Sequence, residues 1–107
     1  MALIITASGD AKLRISGTTT DLASMYSRIE FACPKNGKSM QGALYNYAAK
    51  AEYEASPLSL LKIDNFTTGY TVAIDVATQE QSLETGHQGI KTQLEAVGYT
   101  VEIVDLP

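Results

Sequence analysis

Residues 24–50 read SMYSRIEFACPKNGKSMQGALYNYAAK, and the pair Asn36-Gly37 near their centre decides how they fold. Asn-Gly between two extended stretches favours a two-residue type I′ turn, because both residues tolerate positive φ. With that pair as the loop, facing residues have numbers summing to 73, so Cys33 meets Met40, Phe31 meets Gly42, Ile29 meets Leu44 and Met25 meets Ala48. One face of the hairpin is then apolar almost throughout, and Phe31 can lay its ring over the bare backbone of Gly42. Pro34 offers no N–H to a neighbour, which sets the turn end of the hairpin at a sheet edge.

The other face of the same hairpin pairs Arg28 with Tyr45 and Tyr26 with Tyr47, gathering three of the six tyrosines with an arginine. Three readings fit this cluster. It can be a solvated face whose cross-strand aromatic pairs add about 0.2 to 1 kcal/mol each. It can be a contact surface, since Tyr and Arg bury large areas behind polar tips and are enriched where proteins meet. It can also pack under another part of the chain. The expected protein interface is accordingly Tyr26, Arg28, Tyr45 and Tyr47.

Outward from the hairpin the pattern is mostly extended. The segments Met1–Ala7, Lys12–Ser16, Leu58–Ile63, Tyr70–Val76 and Tyr99–Val104 read as strands, with Leu13 and Ile15, then Tyr70, Val72, Ile74 and Val76, then Tyr99, Val101 and Ile103 each on one side. Ala48–Ala55 is alanine-rich and charged, suited to a short helical turn ended by Ser56-Pro57. The longer helix is expected from about Glu80 to Val97, with Thr78 and Gln81 spaced as a capping box and Gly98 as its C′ residue. Leu83, Ile90, Leu94 and Val97 make its apolar stripe. Gly86 and Gly89 inside it each cost about 1 kcal/mol relative to alanine, which points to a close packing approach. The fold expected is α+β in one domain spanning 1–107: a mainly antiparallel sheet of about six or seven strands, curled or a partial sandwich or barrel, with one C-terminal helix packed on it and a final strand.

The composition narrows function by exclusion. The chain has 107 residues, 45% of them apolar and 19% charged, with a formal charge of −4, one cysteine and one histidine. The cationic surface that releases phosphate counterions is missing, which argues against direct nucleic-acid binding. No apolar run approaches the roughly 18 to 20 residues that span a bilayer, and the run at Met1–Ala7 is too short for a signal peptide, so no membrane role is expected. Cys33 cannot form an intrachain disulfide and belongs to the apolar face of the hairpin. His87 has only Glu84 near it in sequence, an ordinary helical spacing, and reads as a packed or boundary side chain. Neither GxSxG, SxxK, GxxxxGKS nor HExxH occurs. The expectation is no enzyme, with no catalytic residues, no cofactor, no metal and no small-molecule substrate.

The segments Ser24–Cys33, Lys35–Lys38 and Ala43–Lys50, together with the closing Gly98-Tyr99-Thr100-Val101-Glu102-Ile103, look like those of small structural accessory proteins of tailed bacteriophages, which sit around the capsid, neck or tail. The resemblance implies a non-enzymatic protein present in symmetric copies. It implies partners that are other copies and other virion proteins, and a place in the virion after assembly in the bacterial cytoplasm. A small intracellular protein that binds or inhibits one host partner is the alternative from a different class.

Overall fold

The computed structural model describes residues 1–32, 38–58, 60–74 and 82–105. Among the described residues, five strands and two helices follow one another as β1 (Ala2–Thr6), β2 (Ser24–Ala32), β3 (Ser39–Tyr47), α1 (Lys50–Ala55), β4 (Gly69–Ala73), α2 (Leu83–Ala96) and β5 (Thr100–Val104). The strands form one curled antiparallel sheet in the order β4-β3-β2-β1-β5, and the architecture is α+β. Among the described residues no helix is long and apolar enough to cross a membrane.

The register of β2 against β3 is the one in which paired numbers sum to 73, from Tyr26 with Tyr47 to Ala32 with Gln41. The turn residues Cys33–Gly37 lie outside the described residues. The flanking strands are staggered: β1 pairs with Ser24–Ser27 at the open end of the hairpin, whereas β4 pairs with Ser39–Ala43 near its turn. Met25 of β2, Met40 and Leu44 of β3, Leu3 and Ile5 of β1, Val72 of β4 and Val101 of β5 all face one side, where they form the main core with Ile90 and Leu94 of α2. Within this apolar face Ser27 and Asn46 are buried opposite each other, and the Ser27 hydroxyl donates to Asn46 Oδ1 at 2.7 Å, so neither of these two atoms is left unpaired.

Backbone approach governs how α2 sits. A Cβ on Gly42 would lie 2.7 Å from Ile90 Cδ1 and 3.0 Å from the Phe31 ring, so the missing side chain admits both. A Cβ on Gly86 would lie 2.5 Å from the Phe31 ring, and one on Gly89 would overlap Val72 Cγ1 and Cγ2. The helix is capped at both ends. Ser82 is in extended conformation and its hydroxyl accepts from the Thr85 N–H at 3.1 Å. At the other end Gly98 has φ +110, and the N–H groups of Gly98 and Tyr99 return to the Glu95 and Leu94 carbonyls, the two bonds of a Schellman motif.

Three expectations are corrected. Among the described residues the sheet has five strands, because those of Lys12–Ser16 and Leu58–Ile63 make only isolated bridges, Arg14 with Asp21 and Ile15 with Ile63. The chain at Gly17–Thr20 turns back after a single rung, too short a return for a ladder, although Leu13 is buried as its alternation requires. The helix begins at Leu83, capped by Ser82; Thr78 and Gln81 lie outside the described residues, as does Val76. Its buried face is Gly86, His87, Ile90 and Leu94, while Leu83 and Val97, at the first residue and the C-cap, are exposed beyond the sheet's cover.

Gly89→Ala separates propensity from packing. Alanine favours the helix by about 1 kcal/mol, but the β-branched Val72 cannot swing aside, and overpacking costs about 1 to 3 kcal/mol. Urea denaturation should show a net loss of about 1 kcal/mol, and combining the change with Val72→Ala should remove the conflict, giving a favourable coupling in the double-mutant cycle.

Candidate interaction face

The even-numbered side chains of β2 and the odd-numbered ones of β3 point to the side of the sheet opposite α2. Tyr26, Arg28, Tyr45 and Tyr47 share this side by register, as the hairpin pairing requires. What crosses them is α1. This helix has only six residues, no side-chain cap at Ala49 and an end at Ser56-Pro57, so its own propensity cannot hold it. Tyr53 holds it instead. Its ring centroid lies 5.9 Å from that of Tyr26 and 5.0 Å from that of Tyr47, the latter edge to face, and the Arg28 guanidinium carbon stands 4.9 Å over its ring.

The result is a second, aromatic core of Ala2, Tyr26 and Tyr47, with Ile4, Tyr45, Tyr53 and Val104 packed around it. The tips of Tyr26, Tyr45 and Tyr47 are hydrogen-bonded. The Tyr26 hydroxyl donates to Asp105 Oδ2 at 2.6 Å, and Lys50 Nζ donates to Asp105 Oδ1 at 2.9 Å, fastening α1 to the end of β5. The Tyr47 hydroxyl donates to the Pro57 carbonyl and that of Tyr45 to Glu30 Oε2. Hydrogen bonds from Tyr26 and Lys50 hold the Asp105 carboxyl below its usual range. Burial, with Asp105 opposite, pushes the Tyr26 phenol above its usual value. Burial likewise raises Tyr47, and the Glu30 charge raises Tyr45.

The four expected interface residues therefore divide. Tyr26 and Tyr47 are 1% and 3% exposed and lie inside the molecule. Arg28 and Tyr45 are half-buried and reach the surface. There they border an open groove of about 380 Å³ with Tyr53, Pro57, Leu58 and Leu60. Leu58 is 95% exposed and Leu60 46%, unusual for large apolar side chains set beside one another. Tyr53 and the leucines were not singled out from sequence. The signal was a tyrosine alone in an alanine-rich turn, followed by Pro57, with Leu58 and Leu60 at a spacing that was assigned to a strand.

Other shallow concavities lie elsewhere on the surface of the described residues. One of about 500 Å³ runs over the outer side of β2, β3 and β4 past Glu30, Gln41 and Thr71. Another, of about 460 Å³, lies between Asp10–Arg14 and Asp64–Thr67, beside the edge-to-face pair Phe66 and Tyr99. Among the described residues no three of His, Cys, Asp and Glu come together as a metal could use them. His87 is 2% exposed, so its ring meets no solvent-borne substrate.

Tyr53→Ala should remove the lid from the aromatic core while sparing the main one. A loss of about 2 kcal/mol in urea denaturation is expected, below the roughly 3 to 5 of a fully buried aromatic, with faster amide exchange across residues 50–58 and the interior of β1–β3 unaltered. Equal acceleration throughout would show that α1 is not an independent cover.

Compared with known proteins, the chain matches no family model, no curated protein and no solved structure.

Proposed function

We propose that this chain is a non-enzymatic structural or assembly protein, a component of a phage virion, that works through contacts with copies of itself and with other virion proteins. The observation that supports this reading best is the exposed pair Leu58 and Leu60 set against Arg28 and Tyr45. Leucines so placed gain nothing for the fold, whereas covering them removes apolar area from water at about 25 cal/mol per Å². An aromatic and an arginine beside them supply the anchor types that dominate binding energy. The likeness of Ser24–Cys33 and Ala43–Lys50 to phage accessory proteins supplies the virion, and with it assembly in the bacterial cytoplasm. Neither a nucleic acid nor a small-molecule substrate enters this reading.

Light scattering across a concentration series is the test, with Leu58→Asp/Leu60→Asp as the comparison. Wild type should form a discrete oligomer or join a larger particle, and the variant should remain monomeric with a melting temperature within a few degrees of wild type. A wild-type protein that stays monomeric at high concentration and joins no particle, or a folded variant that assembles as before, overturns the reading.

A further inference from the structure

We propose that His87 is an acid-sensitive latch: neutral, it seats α2 on the sheet, and protonated, it lifts the helix and uncovers the apolar face beneath. Four residues make up the buried side of α2, Gly86, His87, Ile90 and Leu94, and His87 is the only one that can change charge. Its Nδ1 is 2.7 Å from the Leu83 carbonyl oxygen. A carbonyl accepts, so the proton of the neutral ring belongs on Nδ1 and Nε2 is left as a bare acceptor. Nε2 is fully buried and hydrogen-bonds to nothing. The ring stands edge-on to Phe31, with centroids 5.4 Å apart. That is the same Phe31 against which Gly86 lets the helix settle.

Protonation would put an N–H and a full charge on the sealed side of this contact. Among side-chain charges, Arg28 of β2 acts on the ring only from the opposite side of the sheet, and as a cation it disfavours protonation. On α2 itself Glu84, one turn back, is exposed to solvent. The Met1 main chain also borders the imidazole and, like the Leu83 carbonyl, favours the protonated ring. Burial holds the imidazole below its ordinary value, against the smaller upward pulls of the Leu83 and Met1 main chain. The sign follows. As pH falls below about 6.5 the unfolded or lifted chain takes up its proton first, so stability present above that value is lost on acidification toward the depressed native value. Only α2 need move, because the strands keep their ladders without it. The surface freed would include Phe31, Ile90 and Leu94.

The test uses the whole chain at constant ionic strength between pH 7.5 and 5. By NMR, the His87 Cε1–H signal of the native protein should titrate below 6.5; titration at 6.5 or above, as when a protonated Nε2 donates to the Met1 carbonyl, overturns the proposal. Amides of α2, corrected for intrinsic rate, should exchange progressively faster than those of β1–β3 as pH falls, and uniform acceleration overturns the latch. In urea unfolding, the wild-type equilibrium constant should gain up to about tenfold per pH unit over that of His87→Leu within the window. An identical pH slope in a folded Leu variant overturns it too. Should that variant fail to fold, the titration and the exchange of the wild-type chain decide.

Discussion

Everything in this molecule rests on the pairing of β2 with β3, and within it on Phe31 lying opposite Gly42. The register sorts side chains between two faces, and a shift of one residue would exchange them all. With this register the missing Cβ of Gly42 leaves room for Phe31 and for Ile90 of α2 at one point. Gly86 meets the same ring from above. Two glycines and one aromatic thus bring helix backbone and strand backbone together, a geometry that any side chain at either glycine would obstruct.

The two faces then solve different problems. The α2 side is a large aliphatic core in which Leu3, Ile5, Met25, Met40, Ile90 and Leu94 bury their whole side chains, each worth about 1.5 to 3 kcal/mol against exposure. The opposite side has far less cover, six residues of α1, and uses tyrosines. A tyrosine combines a large apolar ring with a hydroxyl that can find a partner at the rim, and the bonds from Tyr26 to Asp105 and from Tyr47 to Pro57 are such rim contacts. The aromatic core is therefore tied to the chain at its edges, whereas the aliphatic one relies mainly on shape, with the Ser27–Asn46 bond inside it. The difference makes α1 the element that depends on particular hydrogen bonds and α2 the one that depends on close packing.

Periodicity made much of this legible. Alternation in Tyr70–Ile74 and Tyr99–Ile103, the turn chemistry of Asn36-Gly37 and the glycine after Val97 are local signals, and the strands, the register and the helix end follow from them. Periodicity reports which residues share a face, but not what lies across from it. Periodicity groups Tyr26 and Tyr47 with Arg28 and Tyr45 on their shared face, while the arrival of Tyr53 against three of the four depends on how Ala48-Ala49 bends the chain back, which no spacing encodes. Leu83 and Val97 carry the correct helical phase with Ile90 and Leu94, yet sit where α2 outruns the sheet. Leu58–Ile63 is rich in leucine and isoleucine and reads as a strand, yet of its described residues only Ile63 makes a bridge, with Ile15.

The same distinction explains why the exposed leucines and the buried histidine carry more weight than their neighbours. Along a chain whose local patterns agree with its fold, side chains that break the pattern without a structural return are the ones a fold does not require. Leu58 stands in water where a polar residue would serve the loop equally well. His87 sits on the buried stripe where an aliphatic residue would leave no unpaired nitrogen. Removing either oddity should leave the fold at least as stable, because a buried acceptor without a partner costs about 1 to 3 kcal/mol and an exposed leucine stabilises nothing. Their presence is then better accounted for by what happens when the surroundings change, a partner arriving at one and a proton at the other, than by the folded monomer at neutral pH.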